Sequence, residues 1–93
     1  SKDLEIMNRL AWLYAKKNIK LTPAIELINK AIQASPNRAD FIDTLSELYY
    51  VKGDINMAVV NIRKAISIEP KNLYYKQQLR RFETSDSIIV SSD

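Results

Sequence analysis

Neither cysteine nor histidine occurs among the 93 residues. Their absence removes disulfides, thiolate nucleophiles, imidazole bases and nearly every zinc site together, so stability has to come from packing. Glycine occurs once and proline three times, too few turn formers for a chain that reverses at every strand of a sheet. No apolar run approaches the ~20 residues that a membrane span requires. Missing cysteine says little about compartment: a reducing cytoplasm is the first expectation, and a periplasm accepts the same chain. The sequence opens SKDLE with no initiator Met and no leader, from which a segment of a longer protein is expected. Apolar and charged residues are abundant, at 46% and 27%, and their spacing is that of helices.

The first apolar stripe is Leu4, Met7, Leu10, Ala11 and Tyr14, one face of a helix that fades at KKNIK. Thr22 before Pro23 reads as an N-cap, and Ile25, Ile28, Ala31 and Ile32 carry a second helix to Ser35-Pro36. A third, with Phe41, Ile42, Leu45, Leu48 and Tyr49, ends at Gly53, the residue best suited to a left-handed C-cap. After Asp54, the stripe Ala58, Val59, Ile62, Ala65 and Ile66 gives a fourth helix that stops before Pro70. Tyr75, Leu79 and Phe82 give a short, charged fifth helix. TSDSIIVSSD, beyond it, has no helical period.

Whole helix pairs recur. Ile28, Ala31, Ile32 and Pro36 return 34 residues later as Ile62, Ala65, Ile66 and Pro70, and a period of this length signals a repeat architecture. One unit reads Met7-x2-Leu10-Ala11-x2-Tyr14, then Ala24-x3-Ile28, Ala31, Pro36. The other reads Ile42-x2-Leu45-Ser46-x2-Tyr49, then Ala58-x3-Ile62, Ala65, Pro70. The stretch from Tyr14 to Ala24 is one residue longer than that from Tyr49 to Ala58, which places an insertion in KKNIK. This pattern resembles the tetratricopeptide repeat family over roughly residues 4 to 83, with Met7 and Ile42 where the family often has Trp, and Ala11 and Ser46 in place of Gly. The expected fold is all-α: two helix-turn-helix repeats (1–37 and 38–71), a C-terminal capping helix (72–83) and a flexible polar tail (84–93), together a fragment of a right-handed α-solenoid.

Catalysis and metal binding are not expected, because the eleven carboxylates have no His, Cys or phosphate loop beside them; no cofactor is implied. A net charge of +3 and pI of 9.2 raise nucleic acid as a ligand. Lys16, Lys17 and Lys20 lie at one corner and Arg80 and Arg81 at another, with Asp40, Asp43 and Glu47 between, so no basic stripe forms. The lysines read as a solvated turn.

The resemblance implies a concave groove, lined by the first helix of each pair, that receives a peptide from a partner protein. The residues it places there are Glu5, Asn8, Arg9, Trp12 and Lys16, then Asp40, Asp43, Thr44, Glu47 and Tyr50, with Tyr74, Gln77, Gln78 and Arg81 on the fifth helix. Trp12, the sole tryptophan, lies off the buried stripe; it reads either as a ligand anchor or as cover packed on Lys16 or Tyr50. Asp43 and Glu47 read first as a solvated acidic face, and alternatively as rim carboxylates for a basic ligand. Acidic groups here do not fit the family's grip on carboxylate-terminated chaperone tails.

Phe41 and Leu48 are expected to pack on Ile28 and Ile32, and Tyr75 and Phe82 on Ile62 and Ile66. Ile6 and Leu13, their counterparts in the first unit, are then left as an open apolar patch, covered in a longer array by another repeat, by a second copy in a weak homodimer, or by the Ser87–Val90 segment. The polar face of the fifth helix suits a terminal cap. The expected function is a protein–protein interaction scaffold; the rival is a purely structural segment that ends or dimerises a longer array.

Overall fold

Five helices follow one another, α1 (Lys2–Lys17), α2 (Leu21–Ala34), α3 (Ala39–Lys52), α4 (Ile55–Ile68) and α5 (Leu73–Ser91). The computed structural model describes the backbone of residues 2–91 and the side chains of residues 2–85. Among the described residues there is no strand, and no helix is long and apolar enough to cross a membrane. The architecture is the all-α helical repeat expected. Each helix packs on the next in sequence, and α3 also lies against α1.

The turns repeat as faithfully as the stripes. At the end of α1 the Asn18 N–H donates to the Ala15 carbonyl and the Ile19 N–H to the Tyr14 carbonyl, each at 3.1 Å. At the end of α3 the Gly53 N–H donates to the Tyr50 carbonyl (3.0 Å) and the Asp54 N–H to the Tyr49 carbonyl (2.9 Å). Asn18 (φ 54°) and Gly53 (φ 98°) both take the left-handed backbone that lets these paired bonds close a helix. The two turns then part. Asp54 follows Gly53 directly, and its carboxylate accepts the Met57 N–H at 3.1 Å. After Asn18 come both Ile19 and Lys20, the latter also left-handed at φ 50°.

Lys20, not Thr22, is the N-cap of α2: its carbonyl accepts the first helical bond, from the Ala24 N–H at 3.0 Å. Thr22 therefore lies inside the first turn, where Pro23 is tolerated because its missing N–H would have had no helical partner. The junctions after α2 and α4 match in register. Ser35 and Glu69 donate to Ala31 and Ala65, and Arg38 and Asn72 donate back to Ser35 and Glu69.

Two core clusters follow the same register. Ala24, Ile28 and Ala31 with Phe41, Leu45 and Leu48 form one, and Ala58, Ile62 and Ala65 with Tyr75 and Phe82 form the other. Ile32 packs against both, as it must where one interhelical wedge meets the next. The alanines at the contact let helix backbones approach to roughly 8–10 Å. Leu10 departs from expectation: it is exposed, not part of the buried stripe. One turn on from Ile6 and just short of Leu13, it faces the side of α1 on which no described helix lies.

The fifth helix is longer than its stripe. It continues through Ser91, where the sequence suggested an end at 83 and a flexible polar tail over 84–93. Adding a residue to an existing helix costs far less than starting one, and contacts reach past residue 82: Glu83 pairs with Arg63 at 3.1 Å, and the Ser85 and Tyr50 hydroxyls share a hydrogen bond. A role for Ser87–Val90 in covering the open patch lies outside the described side chains.

Candidate partner-binding groove

Successive first helices bring one row of polar and aromatic side chains together. Their common face holds an open cavity of about 270 Å³. Helix α1 supplies Glu5, Asn8, Arg9 and Trp12, α3 supplies Asp40, Asp43 and Thr44, and α5 supplies Tyr74. Of the candidate site residues, Asn8, Trp12, Asp43 and Tyr74 thus share one cavity. Lys16, Glu47 and Tyr50 do not line it and lie to one side, engaged with α5 or with each other. Ile6 and Leu13, 57% and 47% exposed, are on another face of α1.

Directional bonds hold the cavity walls. The Thr44 hydroxyl donates to Oδ1 of Asn8, tying α3 to α1, and also lies within reach of the Asp40 carbonyl. At one end Arg38 donates from Nε and Nη2 to the Asp40 carboxylate, at 3.0 and 2.8 Å, and pairs with Glu5 at 2.6 Å. Arg38 escaped the sequence reading, since it sits in the turn before α3; the Arg-x-Asp spacing was its only trace.

At the other end Asp43 and Glu47 are buried, 6% and 3% exposed, and form no solvated acidic face. They lie under α5, whose long polar side chains reach back over α3. Gln78 Nε2 donates to Asp43 Oδ1 (3.2 Å) and to Glu47 Oε1 (3.1 Å), while its own Oε1 accepts Arg81 Nε at 3.2 Å. Arg81 also pairs with Glu47, and Lys16 Nζ approaches the other Glu47 oxygen at 3.6 Å. Sequence alignment placed Gln78 and Arg81 on this face; their role as partners to buried carboxylates depends on side-chain reach, which a helical register does not encode.

The two acids differ in company. Glu47 has two cations, whereas Asp43 has only a neutral amide on Oδ1 and none on Oδ2. Among the described residues no fully buried side-chain oxygen or nitrogen lacks a partner, so the unbonded Oδ2 keeps some exposure, and Asp43 lines the cavity. Burial pushes the Asp43 carboxyl up to about 6; the Glu47 charge adds to this, and Gln78, Lys16 and Arg81 oppose it. Burial also raises the Tyr74 hydroxyl, with Asp43 and Glu47 contributing.

The aromatic candidates separate as well. Tyr50 stacks on Phe82 with ring centroids 4.7 Å apart, and Arg81 lies 4.6 Å over its ring. It therefore fastens α5 and is no free anchor. Trp12 is half-buried with Lys16 Nζ 4.4 Å from its ring centroid, so it is partly covered by Lys16 while still lining the cavity. Tyr74, 44% exposed, forms the opposite wall.

Compared with models of known protein families, residues 39–72 match the tetratricopeptide repeat. The match runs from the first residue of α3 to the turn before α5. No curated protein matches the chain.

Proposed function

We propose that the chain, whose residues 39–72 match the tetratricopeptide repeat, a protein-interaction repeat, holds a partner segment in the groove along α1, α3 and α5. The observation that carries this reading is the cavity between Trp12 and Tyr74, where two aromatic walls and a buried carboxylate converge on open space. Aromatic side chains with one face available contribute most of the energy in such contacts. Polar groups at the floor, Asn8, Thr44 and Asp43, would select among ligands by leaving a wrong one with unpaired groups.

An array of short peptides, probed with the wild-type chain and with Trp12→Ala, tests the reading. Binders should emerge whose affinity falls by roughly 2 kcal/mol or more in the variant. A second reading is favoured by the exposed stripe Ile6, Leu10 and Leu13: a segment that only docks to a further repeat or to a second copy of itself. An array with no binder, together with concentration-dependent dimerisation abolished by Leu13→Ser, would select it.

A further inference from the structure

We propose that the cavity receives the ammonium group of a lysine from the bound partner, with Asp43 as its counter-ion. This rests on the groove-binding reading and specifies its ligand. Charge is compensated at both ends of the groove, by Arg38 between Glu5 and Asp40 and by Arg81 and Lys16 on Glu47. Asp43, between them, has no cation of its own, yet is 6% exposed, lines the cavity and has one carboxylate oxygen without a hydrogen bond that is not fully buried. A buried carboxylate in that state is stabilised by any cation that can reach it.

The geometry selects the kind of cation. A guanidinium fork engages two carboxylate oxygens in one plane, and Gln78 already holds Oδ1 at 3.2 Å. An ammonium is a point charge with three rotatable donors. Asp43, Asn8 and Thr44 line the same cavity, and each carries a side-chain oxygen able to accept from an ammonium. The aliphatic stem of a lysine would lie along Trp12 and Tyr74, as such stems do on apolar surface. A divalent metal fits less well, because no group of three acidic side chains among the described residues is placed to hold one. Arg9 lines the cavity without a carboxylate partner and is the internal competitor for Asp43.

Occupancy should follow pH. The charged and titratable groups around Asp43 are Glu5, Arg9 and Lys16 on α1, Asp40 and Glu47 on α3, and Tyr74, Tyr75 and Arg81 on α5; burial, with Glu47 adding and Gln78, Lys16 and Arg81 opposing, holds its carboxyl near 6. Below that value the counter-ion is lost.

The test titrates the whole chain with n-butylammonium and, separately, n-butylguanidinium, followed by amide NMR. Expected are shifts at Asn8, Asp43 and Thr44, tighter binding of the ammonium, and an affinity loss of about tenfold or more in Asp43→Asn. The control Glu26→Gln, on the exposed outer face of α2, should bind as the wild type does, and Arg9→Gln more tightly. Between about pH 7.5 and pH 5 affinity should fall about tenfold as Asp43 takes up a proton. Equal effects of Asp43→Asn and Glu26→Gln, a preference for guanidinium, or a flat pH profile would each overturn the proposal. Peptides that need Trp12 but ignore Asp43→Asn would overturn it and leave the groove reading standing. Ammonium binding at Asp43 with an empty peptide array would support the site and count against the groove reading.

Discussion

Helices α1 and α3 carry the same pattern in two surroundings. Ile6, Leu10 and Leu13 hold the register positions of Phe41, Leu45 and Leu48, yet the first three are 57%, 39% and 47% exposed and the second three 0%, 6% and 0%. Only the neighbour differs: α2 covers that face of α3, and no described helix covers it on α1. In a stacked repeat, then, an apolar residue becomes core through the interface it meets, and stability resides in interfaces as much as in units.

The sharpest way to break this comparison is truncation at matched positions. Phe41→Ala should destabilise by about 3–5 kcal/mol, and Ile6→Ala by less than about 0.5 kcal/mol, read from urea midpoints at constant slope. Similar losses at both positions would mean that α1 is covered after all.

A second contrast lies on the groove face, where Asn8 holds the register position of Asp43. Asp43→Asn makes the second unit match the first. The wild-type carboxyl titrates near 6 when folded against an ordinary value of 3.8, so the folded state binds the extra proton between those values. Ionisation of Asp43 therefore opposes folding: its penalty is absent below about pH 4 and full above about pH 6. The variant should be more stable than wild type by roughly 1–3 kcal/mol near neutrality, with the difference vanishing on acidification. Thermal melts across this range measure it, and a variant less stable at neutral pH would show that Asp43 is already well compensated.

The smallest effect concerns the matched turns at Asn18 and Gly53. A Cβ at Gly53 would meet nothing within 4 Å, so Gly53→Ala should cost about 1 kcal/mol through left-handed backbone strain alone. Asn18→Gly should be neutral or stabilise by a few tenths of a kcal/mol, since φ 54° is also left-handed. A large loss in Asn18→Gly would assign its side chain a contact of its own.

Much of the fold was legible because the features that define it are local. Ala24, Ile28 and Ala31 recur as Ala58, Ile62 and Ala65 at a fixed spacing, and both sets are fully buried. What escaped was decided across helices. Leu10 looked like core because its spacing is that of core; exposure depends on whether a helix lies opposite. Thr22 and Pro23 made a plausible cap, but α2 begins at Leu21 behind Lys20, as α4 begins at Ile55 behind Asp54. On the candidate groove, alignment put Asp43, Glu47, Gln78 and Arg81 on one face. It could not tell a solvated acid from a buried one, since that depends on how far side chains from α5 extend over α3.

The glutamine at position 78 limits how freely this C-terminal helix could be exchanged by protein engineers. A generic terminal helix with aromatic residues at the positions of Tyr75 and Phe82 would seal the apolar wedge of α4 equally well. Without an amide at position 78 and a guanidinium at 81, however, it would bury Glu47 with Lys16 as its one remaining cation and take the hydrogen bond from Asp43 Oδ1. Helices of repeat proteins are often treated as interchangeable parts. This one carries a lock whose key is cut into the preceding unit, and a transplant would have to bring both halves.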